Sequence, residues 1–396
     1  MNTTPFSISL LPKIEFGAGS FNKLPVILEQ YQKQLMLVTG KHSIESSDLW
    51  PLLQKWLEQS GHKVTRVKIA TEPSPQQIDD IVSRYRNYNI NVVVGLGGGS
   101  VLDAAKAIAG LLNLNHSVMD FLEGVGPELP YPGPSVPFIA IPTTAGTGSE
   151  ATKNAVLSEQ GQNGFKKSFR DDLLIPDYAI VDPNLLANCP DELIAANGMD
   201  ALTQLMESFV STRSNPVTDA IALSGLRACR DGLLEWFHHG EGEIEARANM
   251  AYASLCSGIC LAQTGLGSVH GLAAPLGAFF PIPHGIVCGT LVATATRFNI
   301  ESLRQREPDN IALKKYHTIA TILCQQKTGS QQQAFDKLLS LLEDWTEQLK
   351  LPRLGEYGVT TKDIAHIVNN SRGSSMKTNP VILTDKEIGQ IITTRI

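Results

Sequence analysis

At 396 residues, with 42% hydrophobic and 18% charged side chains, the chain has the composition of an ordinary globular protein and the length for two cores rather than one. Its formal net charge of -6, without any run of clustered lysine and arginine, argues against a nucleic-acid surface. No stretch reaches membrane-spanning length without polar interruption, and the opening residues MNTTPFSISLLPKIEFGAGS carry neither a basic run nor an apolar block of signal length, so a cytoplasmic protein is expected.

In chain order, Gln34 to Thr39 is a short apolar run closed by Gly40, which predicts a buried strand and a turn. Ser46 to Gly61 carries Leu49, Leu52, Leu53 and Leu57 at helical spacing and stops at glycine. Lys63 to Ala70 alternates as a strand does; Pro73 and Pro75 break it before a helix over Gln76 to Tyr88. Asn91 to Leu96 is another buried strand, and Val136 to Ile141 a further one. Strand and helix alternating at this spacing imply a parallel sheet covered by helices on both faces.

Two loops follow such strands. The first is Gly97-Gly98-Gly99-Ser100, leading into the Ala-rich helix that contains Asp103 and Lys106. Glycines without a Cβ let backbone amides approach an anion, and a helix N-terminus adds its dipole, so a phosphate or pyrophosphate fits. The glycines are consecutive, so this is not the GxGxxG fingerprint, and no Lys-Ser/Thr ending makes it a P-loop. The second loop, Pro142 to Glu150, offers Thr143, Thr144, Thr147 and Ser149 with Gly146 and Gly148. Two ligand-suited loops at carboxyl ends of strands point to a dinucleotide.

From Asp182-Pro183-Asn184 onward strand patterns fade, and the boundary between domains is expected between Pro183 and Pro190, dividing the chain into 1–186 and 187–396. Asp191 reads as a cap for a helix over Glu192 to Ala196 that Gly198 interrupts; Met199 to Val210 resumes it. Further helices are predicted over Thr218 to Trp236, Ile244 to Gln263, Val287 to Phe298, Lys314 to Gln326, Gln331 to Leu349, and after Thr384, with a polar loop over Gln325 to Gln333. Six cysteines, Cys189, Cys229, Cys256, Cys260, Cys288 and Cys324, form no CxxC pair and read as reduced core thiols, with Cys256 and Cys260 sharing a helix face.

His270 and His284 lie in an apolar stretch, Gly265 to Gly285, where an unpaired imidazole is costly to bury. A shared metal is one reading; two core histidines satisfied by backbone carbonyls is the other. Asp200 and Gln204, one helical turn apart on a shared face, form a half-site in which the glutamine is the weak member.

Taken together, GGGSVLDAAK at 97–106, PTTAGTGSEAT at 142–152, GMDALTQ at 198–204, and HGLAAPLG with PHG over 270–285 resemble the iron-containing (group III) alcohol dehydrogenase family, and FGAGS at 16–20 and IVDPNLL at 180–186 agree. The resemblance covers nearly the whole chain. It implies a Rossmann-like α/β nucleotide-binding domain with a parallel sheet, followed by an all-α domain, the dehydroquinate synthase-like architecture, with metal and nicotinamide in the cleft between. It further implies pyrophosphate on Gly97, Gly98, Gly99 and Ser100, with Asp103 in the same motif, cofactor contacts from Thr143, Thr144 and Ser149, and the nicotinamide ribose on Lys166, with Lys167 adjacent. NAD-using relatives often carry an aspartate after the first strand. Here Gly40 stands in that place and Lys41 follows, which favours NADP(H) over NAD(H).

The family's metal set is one aspartate and three histidines. Asp200, His270 and His284 match, and Gln204 holds the remaining position. A further histidine, often assigned to proton relay, is replaced by Ala274. The resemblance thus implies a divalent metal, iron or zinc, weakly held, and hydride transfer between an NAD(P) cofactor and a small alcohol, aldehyde or ketone in a homodimeric enzyme. The alternatives are a three-ligand member acting on an acidic or phosphorylated substrate, and an NADP(H)-binding protein without catalysis.

Overall fold

The apolar, β-branched runs of the first half become strands and the Ala- and Leu-spaced stretches become helices in the computed structural model, which describes residues 5–41, 44, 45, 47, 49–161, 163–325 and 329–396. The chain divides into two compact units. One contains residues 9–159 and 166–189; the other contains residues 190–396 together with 160–165 and residues up to Ile8.

The first unit is built on a six-stranded sheet. Its strands are β1 (Lys13–Phe16), β2 (Gln34–Gly40), β3 (Lys63–Ile69), β4 (Val92–Gly97), β5 (Phe138–Pro142) and β8 (Tyr178–Val181), and a separate two-stranded sheet pairs β6 (Asn154–Glu159) with β7 (Phe165–Arg170). The order β3-β2-β4-β5-β8-β1 is parallel throughout. Central β4 and β5 are buried at every position, as expected of strands covered on both faces, whereas the edge strands β1 and β3 keep exposed positions. Between them run α1 (Leu24–Leu28), α2 (Leu49–Gln59), α3 (Pro75–Tyr85) and α4 (Gly99–Leu111). Of the helix predicted from Ser46, Ser46 itself and Asp48 lie outside the described residues, as does Gln326 further on. Ser74 caps α3 by accepting from the Gln77 amide at 3.2 Å, just ahead of Pro75.

This strand order contains a reversal. From β2 the chain moves outward to β3, while from β4 it moves the opposite way to β5 and then β8. The loops after β2 and β4 therefore diverge, and the crevice beside their carboxyl ends is where open α/β sheets bind ligands.

The second unit is helical: α5 (Asp191–Val210), α6 (Pro216–His239), α7 (Ile244–Thr264), α8 (Ser268–Phe279), α9 (His284–Arg306), α10 (Ile311–Cys324), α11 (Gln331–Gln348), α12 (Ile364–Asn370) and α13 (Asp385–Thr393). Helix α5 is its axis, buried almost continuously from Ile194 to Val210 and packed against α6, α7 and α9.

Two sequence expectations are corrected here, and one helix had no expectation attached to it. Gly198 does not interrupt a helix. It lies inside α5, because a Cβ there would stand 2.2 Å from Leu233 Cδ1, and the missing side chain is what lets α6 approach. Asp191 is not the cap but the first helical residue, after Pro190, where its charge faces the helix dipole favourably. The Gly- and Pro-rich stretch around His270 is itself helix α8, with Pro275 inside it. Its glycines and proline lower helix propensity locally, and burial overrides them.

Candidate functional site

The two sequence-predicted cofactor loops are brought together by neighbouring strands. Gly97 pairs in register with Pro142, and the Thr143 amide donates to the Gly97 carbonyl at 3.0 Å. A Cβ on Gly98 would meet Thr144 Oγ1 at 3.3 Å, and one on Gly99 would meet Thr147 Cγ2 at 2.7 Å, so the glycines are required by the close approach of the second loop. Gly98 precedes α4 and Ser100 lies in its first turn, where backbone amides lack intrahelical acceptors.

Lys106 is buried to 1% exposure and donates to Ser149 O (2.8 Å), Ser149 Oγ (3.2 Å), Thr152 Oγ1 (2.9 Å) and Asn154 O (2.6 Å). It thus fixes the second loop onto α4 rather than reaching toward a ligand. Burial pushes its ammonium down to about 8, against the pull of Asp103 and Glu150. Ser149 Oγ donates to Asp103 Oδ1 at 2.6 Å, while burial raises the Asp103 carboxyl. Lys166 donates to Glu72 Oε1 at 2.6 Å, and Glu72 also accepts from Ser158 Oγ at 2.7 Å, so this lysine is held by a carboxylate on its own unit. Gly40 ends β2, Lys41 is exposed, and on the adjacent β3 Arg66 and Lys68 both pair with Glu45, at 2.6 and 2.8 Å.

In the helical unit, Asp200, His270, His284 and Cys288 each place a ligand-type atom within 4.8 Å of all the others, the only such group of three or more among the described residues. Asp200 comes from the middle of α5, His270 from the first turn of α8, and His284 and Cys288 from the first two turns of α9. A Cβ on Gly285 would stand 2.3 Å from the Ala196 carbonyl, so this glycine lets α9 begin directly against α5, one turn before Asp200.

Asp200 Oδ1 lies 3.1 Å from His270 Nε2 and 3.8 Å from His284 Nε2, and the imidazole rings meet edge-on with centroids 5.3 Å apart. Cys288 Sγ lies 3.6 Å from His270 Nε2 and 3.8 Å from His284 Nε2. His270 is oriented from behind: its Nδ1 lies 2.7 Å from Glu207 Oε2, and Glu207 also accepts from the amides of Gly267 (3.0 Å) and Val269 (2.7 Å). The start of α8 has no cap of its own from Gly267, so the α5 carboxylate supplies one.

With Nδ1 donating to Glu207, a neutral His270 turns a lone pair on Nε2 toward the Asp200 carboxylate. Two acceptors facing each other need a cation between them, either a proton or a metal. Burial works against the imidazolium, yet Cys288, Asp200 and Glu207 raise His270 well above its ordinary value. Burial likewise opposes the Asp200 carboxylate, but His284 and His270 hold it down to about 2. Burial pushes the Cys288 thiol up to about 12, His270 opposing and Asp200 reinforcing.

The donor separations suit a metal. For bonds of about 2.0–2.3 Å at tetrahedral angles, neighbouring donors stand about 3.3–3.6 Å apart, and the measured edges of 3.1, 3.6, 3.8 and 3.8 Å bracket that range. Gln204 is 3% exposed and its Oε1 has no hydrogen-bond partner, consistent with a polar group kept for a guest. Ala274, one turn beyond His270 on α8, is half-buried and brings no titratable group. The sequence reading missed two members, Cys288 and Glu207. Both carry a helical signal, Cys288 four residues after His284 and Glu207 seven after Asp200.

Comparison with known proteins gives two family-model matches, "Iron-containing alcohol dehydrogenase" over residues 12–183 and "Fe-containing alcohol dehydrogenase family, C-terminal" over residues 194–396. The NAD-dependent methanol dehydrogenase of Bacillus methanolicus is 31% identical over 385 residues, 96% of this chain and 97% of that one. The NADPH-dependent butanol dehydrogenase of Clostridium saccharobutylicum is 28% identical over 363 residues, 91% and 89% of the two chains. The crystal structure of a 1,3-propanediol oxidoreductase superposes with a TM-score of 0.89 at 27% identity, over 99% of this chain and 100% of that one.

Proposed function

The chain belongs to the iron-containing alcohol dehydrogenase family, and from that premise we propose how it works as an NAD(P)-linked oxidoreductase that interconverts an alcohol and its aldehyde or ketone. The observation that carries the site assignment is the meeting of buried Asp200 and His270 with half-buried His284 from three helices. When bound, a divalent cation supplies Lewis-acid polarisation of the reacting oxygen and the nicotinamide carries the hydride. The chain's own part is to hold and orient. Asp200 contributes charge, His270 and His284 contribute imidazole nitrogen, Glu207 fixes the His270 ring, and Gln204 adds a neutral oxygen.

Dinucleotide binding is assigned to the sheet-bearing unit and metal and substrate binding to the helical one, with the change-over near residues 186–187. Gly97, Gly98, Gly99 and Ser100 offer amides to the pyrophosphate; Thr143, Thr144 and Ser149 offer hydroxyls, with Asp103 orienting Ser149. Lys166 serves the nicotinamide ribose by exchanging its Glu72 partner. NADP(H) is the proposed coenzyme. Gly40 puts no carboxylate at the end of β2 where a 2′-phosphate would sit, Lys41 follows it, and Arg66 and Lys68 on β3 would add positive charge by exchanging their Glu45 partner.

Ala274 has no proton to give, so proton transfer falls to water, a ribose hydroxyl or the substrate itself, and the small side chain leaves room for a substrate bulkier than ethanol. A cytoplasmic homodimer is the proposed working state, the compartment being in keeping with six cysteines that form no disulfide. An acidic or phosphorylated substrate and a non-catalytic sensor are not favoured, since the methanol and butanol dehydrogenases similar to this chain are named for simple alcohols. The test is metal content together with NADPH-dependent aldehyde reduction, before and after chelation. Loss on chelation and recovery with zinc or iron are expected. Activity indifferent to both chelation and His270→Ala defeats the metal assignment, and clear NADH preference defeats the coenzyme assignment.

A further inference from the structure

Replacing a histidine by Gln204 leaves the centre one strong donor short, and the structure offers a replacement from a different helix. Cys288 follows His284 by one turn of α9, so both side chains leave the same helix face. Its Sγ stands 3.6 and 3.8 Å from the two imidazole Nε2 atoms, close to the nitrogen–sulfur edge of about 3.6 Å that zinc-type bond lengths give. The reading of this residue as an inert core thiol, which suits Cys229, Cys256 and Cys260, is therefore incomplete.

Charge decides between the two candidates for the remaining position. Asp200 is 1% exposed and Cys288 is fully buried. A divalent cation held by one carboxylate, two neutral imidazoles and a neutral amide would leave a net positive charge in that interior, which is costly to desolvate. A thiolate cancels it. The Glu207 charge does not serve this purpose, because it is already shared among two α8 amides and the His270 ring.

We propose that Cys288 is a metal ligand, bound as a thiolate in an Asp200–His270–His284–Cys288 centre that selects zinc over harder divalent ions. The proposal rests on the assignment of that cluster as a metal site. Loading the site releases to solvent both the thiol proton and the proton held between His270 and Asp200, with no redox change. Thiolate softness favours zinc over iron(II), manganese or magnesium, and Gln204 is left as an auxiliary oxygen.

Cobalt(II) titration of metal-free protein tests this without reference to turnover. Wild-type protein is expected to show both visible d–d bands and a near-ultraviolet thiolate-to-cobalt charge-transfer band. Cys288→Ser and Cys288→Ala are expected to lose the charge-transfer band, and zinc affinity measured by chelator competition is expected to fall about 100-fold. Gln204→Ala should keep the band. Metal-free melting curves of the variants, matched to wild type, establish that they fold. Wild-type d–d bands without a charge-transfer band, or a band that survives in Cys288→Ser, overturn the thiolate while leaving the metal site standing. Absence of any cobalt binding, with His270→Ala indistinguishable from wild type, overturns the metal site itself and the thiolate with it.

Discussion

Glu207→Gln isolates how much of the proposed metal centre depends on a residue that would not touch the metal. The carboxylate accepts three hydrogen bonds, from Gly267 N at 3.0 Å, Val269 N at 2.7 Å and His270 Nδ1 at 2.7 Å. A glutamine has one oxygen. Keeping it toward Gly267 and His270 turns the amide nitrogen onto the Val269 N–H, donor against donor. One buried amide left unsatisfied costs about 1–3 kcal/mol, and the two surviving bonds lose charge assistance worth about 1 kcal/mol each. The metal-free variant should therefore melt well below wild type. His270 also loses the partner that sets its tautomer and basicity, so zinc affinity should drop about 10–100-fold. Chelator competition and thermal melts of the metal-free protein measure the two effects separately. Unchanged zinc affinity in Glu207→Gln would refute the argument that Glu207 prepares His270, whatever happens to the melt.

Three other outcomes are expected. Glu150 is 2% exposed, and burial raises its carboxyl from 4.5 to about 7, with Lys106 opposing. The folded state therefore binds more protons than the unfolded chain between those values, and stability falls as pH rises through that window, by up to about 3 kcal/mol. Glu150→Gln should abolish this slope in melts taken from pH 5 to 8, and an identical slope would assign it elsewhere. Gly99→Ala places a methyl 2.7 Å from Thr147 Cγ2, which forces the two loops apart at a cost of about 1–3 kcal/mol; fluorescence titration should show weaker NADPH binding while zinc affinity is unchanged. Gly40→Asp introduces like charge beside the proposed 2′-phosphate position and should weaken NADPH about tenfold while sparing NADH, as a comparison of the two KM values would show.

Much of the first unit could be read from sequence because its strands are short, continuous apolar runs ended by glycine or proline. Val92–Gly97 and Phe138–Pro142 needed no tertiary information, and their glycine and threonine loops were legible with them. The strands β1, β6, β7 and β8 were not. Lys13–Phe16 is a short, mostly exposed edge, and Phe165–Arg170 carries three basic residues, so neither has an apolar signature. In the helical unit α8 was hidden by Gly271, Pro275 and Gly277, all poor helix formers, of which Gly271 is set by packing, a Cβ there standing 2.9 Å from Met376 Cε. Asp200, His270 and His284 stood out because they are polar residues in apolar stretches. Cys288 did not, because a cysteine in an apolar helix is ordinary and only its place beside the two imidazoles sets it apart. Glu207 was invisible for a related reason: its role is to the amides of a helix start that the sequence did not announce.

Lys106 has a consequence beyond holding one loop. Four acceptor atoms of Ser149, Thr152 and Asn154 converge on the three N–H groups of a single ammonium sealed beneath them, before any nucleotide arrives. The conformational entropy of that segment is lost when the chain folds, so under the proposed assignment of this loop to the coenzyme the nucleotide would meet a preformed surface. Rigid docking of this kind sets association by diffusion and orientation instead of by loop closure. Tightness is then tuned through dissociation, and the speed with which spent coenzyme leaves becomes a property of the few side chains at the rim, free to vary without disturbing the sheet below.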